Sequence, residues 1–207
     1  MMSDIVNYWG FLTACILLNL TPGSDTIYIL TRTIAEGKKA GLMSSLGILV
    51  GILCHILAVS LGLTGIVAHS PTLFNFLKYA GAIYLCYLGA KMWQEPLVLE
   101  KIILDKLPLW SIFRQGLITN LLNPKVLLFF LALLPQFVSH NLENTFIPFM
   151  LLGLTFLSTS IIWVSILVLA AAPVGDFLRH NQKVGGWLNK ICGSIFIGLA
   201  IKIGLEK

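Results

Sequence analysis

The sequence predicts an all-α membrane protein with six transmembrane helices, arranged as two inverted three-helix repeats, in which helices 1 and 4 are broken at proline. Three observations lead there. Hydrophobic residues make up 57% of the 207 and charged residues 11%, with a mean hydropathy of +0.89. That leaves too little polar side chain to coat a soluble domain of this size. Several apolar runs are long enough to cross a hydrocarbon core about 30 Å thick. Two short motifs, Thr21-Pro22-Gly23-Ser24-Asp25 and Asn123-Pro124-Lys125, place proline and charge inside such runs.

The runs give spans at 5–30, 41–66, 72–92, 112–138, 145–170 and 186–205. They are expected as helices because lipid offers the backbone no hydrogen bonds, and a barrel would show short alternating strands instead. Residues 1–24 also invite reading as a signal peptide. Asp4 precedes the apolar run and no Lys or Arg does, so the segment is expected to be a mature span. In the sixth span Lys190 and Lys202 leave a short apolar centre, so both ammonium groups must reach the interfaces or line a wet interior. The whole chain, 1–207, reads as one transporter domain: repeat one over 5–92, an interfacial loop over 93–110, and repeat two over 112–205. That loop, from Trp93 to Trp110, mixes charges with Leu97, Val98, Ile102 and Ile103, which suits a segment anchored at the membrane surface by tryptophan.

Charge orients the chain. The connections after spans one, three and five carry Arg32, Lys38, Lys39, Lys91, Lys101, Lys106, Arg114, Arg179 and Lys183, whereas those after spans two and four carry His69, His140 and Glu143. By the positive-inside rule the basic connections are cytoplasmic and both termini lie outside. The net charge of +5 follows from these loops and from contact with anionic lipid, with no stripe of bases and aromatics suited to nucleic acid. Cys15, Cys54, Cys86 and Cys192 fall inside spans without CxxC spacing, which favours inert packing over disulfide or metal chemistry. No nucleotide-binding glycine loop is present, so ATP-driven transport is not expected. Without paired intramembrane acids or a zinc-type histidine motif, neither an enzyme activity nor a cofactor is expected.

The chain also resembles itself. Leu18-Asn19-Leu20-Thr21-Pro22-Gly23 aligns with Asn120-Leu121-Leu122-Asn123-Pro124-Lys125, and Lys78 to Tyr84 with Lys190 to Phe196. A repeat of three spans runs in opposite directions in its two copies, the plan of many secondary transporters.

The motifs then acquire a chemistry. Pro22 and Pro124 each remove a backbone donor and clash with the preceding turn, and Gly23 tolerates the dihedrals of an unwound segment. A broken helix exposes carbonyls at one end, suited to an ammonium, and amides at the next, suited to a carboxylate. Asp25 and Lys125 sit beside the two breaks; a charge inside the bilayer costs about 2.5–3.5 kcal/mol on insertion scales, so they should face one another or a wet cavity. Two arrangements stay open: a structural ion pair clamping the repeats, or a substrate and proton site. In the second, Asp25 takes an ammonium or a proton, and a carboxylate goes to Lys125 or to the amides near Gly23. Asn19, Thr21, Asn120 and Asn123 either cap the broken helices or touch substrate, with capping expected for at least two. Gly47 and Gly51, with Gly81, Gly89, Gly193 and Gly198, make thin faces for close packing and allow a homodimer. His55 reads as a hydrogen-bonded interior histidine, with proton relay as the competing role.

Together these residues resemble the LysE/RhtB family of amino-acid exporters, whose members include lysine, homoserine and threonine efflux proteins. The resemblance covers nearly the whole chain. It rests on Leu20 to Asp25, on the run from Gly37 through Gly41, Gly47 and Gly51 to His55, on Lys78 to Gly89, and on Asn120 to Lys125 followed by Leu134-Pro135-Gln136-Phe137. It implies an efflux carrier of the bacterial inner membrane, driven by the proton gradient. The family's first motif commonly carries proline where this chain has Ser24, which leaves one hydroxyl more near the site. A neutral amino acid is the expected substrate, because Asp25 has no second intramembrane acid beside it to neutralise a basic side chain. The alternatives from other classes are a membrane redox carrier and an exporter of other small metabolites or ions on a similar repeated scaffold. The first would need a facing cysteine pair, which the scattered cysteines do not suggest.

Overall fold

The structure, a computed structural model, describes residues 5–21, 23–69, 71–94, 106–139 and 145–171, together with 186, 187, 190, 191, 193, 194, 197, 198, 200, 201 and 205. The described residues form α1 (Tyr8–Leu20), α2 (Ser24–Glu36), α3 (Lys38–His69), α4 (Pro71–Gln94), α5 (Leu109–Leu121), α6 (Pro124–Leu133) and α7 (Phe146–Leu169). A 3-10 turn over Leu134–Phe137 follows α6, and the described positions from 186 to 205 are helical. No named strand occurs among the described residues; an isolated bridge joins Ile5 to Val138, where the Val6 amide donates to the Phe137 carbonyl at 2.8 Å.

The expected first and fourth spans are each two helices. α1 ends at Leu20 and α2 begins at Ser24; α5 ends at Leu121 and α6 begins at Pro124. Pro22 lies outside the described residues, as do most of the 93–110 loop, Cys192 and Lys202. Among the described residues, Lys38–Gly62 of α3 and α7 are long and apolar enough to cross a membrane. α5 and α6 with the following turn, bent by 48°, make a third if the pair is one span.

Helical periodicity sorts the side chains. α1 buries Phe11, Ala14, Cys15 and Leu18, and α6 buries Val126, Phe129, Phe130 and Leu133, each a stripe at i, i+3, i+4, i+7. α7 contributes Phe149, Leu152, Phe156, Val164 and Leu167 to the same core. Aromatic rings knit it: Phe156 meets Phe129 at 5.4 Å and Phe130 at 5.2 Å between centroids, and Phe11 meets Phe137 at 5.2 Å. The opposite faces are apolar too. α3 exposes Leu42, Leu46, Val50, Leu53, Leu57 and Leu61, and α7 exposes Leu154, Ile161, Ile162 and Leu169. Helices apolar on both faces suit a lipid surround rather than water.

α3 packs most extensively on α5. Glycine permits the approach: a Cβ on Gly47 would collide with the Phe113 carbonyl, and one on Gly116 would lie 2.6 Å from the Ser44 carbonyl oxygen. Gly47 and Gly51 thus serve close packing, as their spacing suggested.

Candidate functional site

The two helix breaks lie against each other, and each is completed by a residue from beside the other. The last carbonyls of a helix have no partner within it. At the end of α1 the Thr21 amide and hydroxyl donate to the Leu17 carbonyl at 3.0 and 2.7 Å. The Lys125 ammonium, from the second break, donates to the carbonyls of Leu18 at 2.9 Å and Thr21 at 2.7 Å. The charge therefore sits at the negative end of the α1 dipole.

In the other direction, the Asn120 amide of α5 donates to Asp25 Oδ2 at 2.8 Å. Asp25 occupies the first turn of α2, where a carboxylate complements the helix dipole. The Asn120 carbonyl accepts from the Asn123 amide at 2.9 Å and lies 3.1 Å from His55 Nε2. Asn120 is fully buried and His55 nearly so. Asn120 is thus tied through its side chain to Asp25 and through its backbone to His55. His55 matches the interior, hydrogen-bonded reading.

Capping divides as expected among the polar neighbours. Asn123 is the N-cap of α6, its Oδ1 accepting from the Lys125 amide at 3.0 Å, and Pro124 at the first helical position has no amide to satisfy. Thr21 caps α1 and is buried. Asn19 instead bridges to α7, donating to Thr159 Oγ1 and accepting from Ser160 Oγ, both at 3.1 Å. Gly23, the N-cap of α2, differs from the expectation. Its φ of −157° is extended backbone open to any residue, and a Cβ there would stand 3.5 Å from Lys125 Nζ, an ordinary contact.

Asn19, Asp25 and Lys125 border one pocket, partly open and about 410 Å³ with its mouth included. Thr21, Gly23 and Asn123 do not border it. Leu18, Ile29, Ile48, Ile52, Phe156 and Leu167 give it a mainly apolar wall, and Thr26, Ser160 and Trp163 add polar groups that the motifs did not mark. The α7 residues among them belong to an apolar run without charge, whose proline, Pro148, lies in the first helical turn away from them, so nothing in the sequence pattern singled them out.

A second polar cluster runs along α2 from Tyr28 to Glu36, about 5 to 16 Å along the helix from Asp25. Arg32 pairs with Glu36 and donates to Gln115 Oε1 of α5 at 3.0 Å; Tyr28 donates to the Ile112 carbonyl at 2.8 Å; the Leu107 amide donates to Glu36 Oε2 at 3.0 Å. The Arg32 and Glu36 side chains are 8% and 6% exposed. Burial pushes the Glu36 carboxyl up, but the Leu107 amide, the Arg32 guanidinium and the Lys106 charge outweigh it and hold the group below its usual range. By sequence alone Arg32 resembles a loop charge.

Over residues 16–207 the chain matches the family described as LysE type translocator. It is 30% identical over 201 residues to a leucine efflux protein of Salmonella typhimurium, covering 96% of this chain and 95% of that one. Leucine efflux proteins of Klebsiella pneumoniae and of an Enterobacter species are 29% and 28% identical, with the same coverage. No solved structure matches the chain.

Proposed function

We propose, from the premise that this chain belongs to the LysE family of translocators, that it exports neutral, aliphatic amino acids by exchange for protons. The observation that carries this reading is the pocket between the two broken helices, where Asp25 borders an apolar wall. Its lining contains one carboxylate, Asp25, among the described residues. A zwitterion's ammonium neutralises that carboxylate, whereas a lysine or arginine substrate would bring a second positive charge with no acid to meet it. The names of the relatives agree with an aliphatic substrate.

Asp25 is then the group that exchanges a proton for the substrate ammonium. When an ammonium leaves, the carboxylate takes a proton from the outside, and its release to the cytoplasm readies the site for the next substrate. One charge moving through 100 mV supplies about 2.3 kcal/mol, enough for a concentration ratio of about 50. One proton per cycle suffices to move a neutral zwitterion against such a gradient.

Alternation of access is supported by the reciprocal bracing of the breaks, which couples α1 and α2 to α5 and α6. We place the chain in the bacterial inner membrane with six spans in two inverted repeats, α1–α2 of the first corresponding to α5–α6 of the second. The test is purified protein in vesicles preloaded with labelled leucine under pH gradients of either sign. Uphill leucine flux that reverses with the gradient is expected, and flux indifferent to the gradient overturns the coupling.

A further inference from the structure

We propose that Trp163 is the donor that binds the substrate carboxylate, an assignment that rests on the exporter reading above. Lys125 is the obvious alternative, but its ammonium already donates to the Leu18 and Thr21 carbonyls. Withdrawing it would strand the end of α1. Ser160 donates its hydroxyl to Asn19, and Asn19 gives one of its two N–H groups to Thr159, so both are held in the bridge between α1 and α7. Asp25 repels a carboxylate, and the Thr26 hydroxyl can donate or accept and so does not discriminate one end of a zwitterion from the other.

Trp163 differs from all of these. Its Nε1 is buried and has no acceptor among the described residues. An indole nitrogen only donates, so no rearrangement of roles within the side chain relieves it. Buried donors in folded proteins are nearly always satisfied, and an orphan on a side chain that lines a pocket points to a bond completed by a ligand. Register supports the position: Ser160, Trp163, Val164 and Leu167 line the pocket at i, i+3, i+4, i+7, one face of α7. Trp163 stands one turn beyond Ser160, which the Asn19 bridge fixes against α1.

The three parts of an amino acid then have separate receivers: the ammonium at Asp25 of α2, the carboxylate at Trp163 of α7, and the alkyl chain on Ile48 and Ile52 of α3. Discrimination against molecules lacking a carboxylate comes from α7, leaving Lys125 as the brace of the breaks.

The test compares leucine with leucinol, which keeps the ammonium and side chain but replaces the carboxylate by a hydroxymethyl group. Binding of each is measured to purified parent protein, to Trp163→Phe, and to a form carrying benzothienylalanine at position 163, which keeps the ring's shape and lacks the N–H. Both altered proteins are expected to bind leucine about 10- to 100-fold more weakly, with leucinol affinity changed by less than about threefold. Equal weakening of both ligands would make the ring a wall and overturn the assignment, as would unchanged leucine binding in the benzothienylalanine form. Parent protein that binds neither leucine nor any other amino acid would instead bring down the exporter reading itself.

Discussion

Lys125 and Thr21 are joined across the two helix breaks, the Lys125 ammonium donating to the Thr21 carbonyl at 2.7 Å. One bond thereby closes the end of α1 with a charge from the start of α6. Lys125→Met leaves the Leu18 and Thr21 carbonyls without that donor, at about 1–3 kcal/mol for each group left unsatisfied. A lowered midpoint of thermal unfolding in detergent is expected. Lys125→Arg keeps the charge and should lose less; equal losses would show that packing rather than donation matters.

Asp25→Asn preserves an oxygen that can accept from Asn120 but removes the charge and the proton site. The variant is expected to reach the membrane at parental levels and to export no leucine above background. Export at the parental rate would exclude Asp25 as the exchanged-proton site.

Gly116→Val sets a branched side chain against the Ser44 carbonyl, which a Cβ would approach to 2.6 Å. Backbone cannot swing aside, so about 1–3 kcal/mol of destabilisation is expected. Gly23→Ala meets only ordinary contact with Lys125 and is expected to unfold within about 0.5 kcal/mol of the parent. Unfolding titrations of the two variants side by side would reveal whether close helix approach or the break itself is the sensitive position.

The Arg32–Glu36–Gln115 cluster holds the far end of α2 to α5 and sets a pH dependence. Glu36 has a folded value depressed below its ordinary 4.5. A depressed carboxylate contributes stability that is complete above the ordinary value and is lost as pH falls through the folded one. Stability from this group is therefore constant from neutrality down to the ordinary glutamate range and declines only in stronger acid. Unfolding midpoints measured down to pH 3 should fall less steeply in Glu36→Gln than in the parent; parallel curves would show that Glu36 does not carry the acid response.

Much of this was legible in the sequence, and for identifiable reasons. Proline beyond the first turn of a helix removes a backbone donor and clashes with the preceding turn, so both breaks lie where Pro22 and Pro124 pointed, while Pro148 is accommodated in the first turn of α7; α3 and α7 fall on the expected second and fifth spans. Asp25 and Lys125 drew notice because charge in lipid is costly, and both border the pocket. Their partners were not legible. Sequence spacing carries no information on which carbonyl an ammonium 104 residues away will meet, so the docking of Lys125 onto Thr21 emerged only in three dimensions. Trp163 and Ser160 lie in an unbroken apolar helix, where pocket-facing and lipid-facing tryptophans look alike. Arg32 illustrates the converse: a basic residue near a helix end resembles a loop charge, and only packing against Gln115 and Glu36 reveals it as buried.

Proton-coupled export through Asp25 is tested most directly by following labelled leucine out of vesicles containing the parent protein or Asp25→Asn, with the pH gradient imposed in each direction and then collapsed. Saturable uphill movement that follows the sign of the gradient, vanishes with it and is lost in the variant is the expected result. Gradient-independent leucine flux, or equal flux through Asp25→Asn, would contradict it.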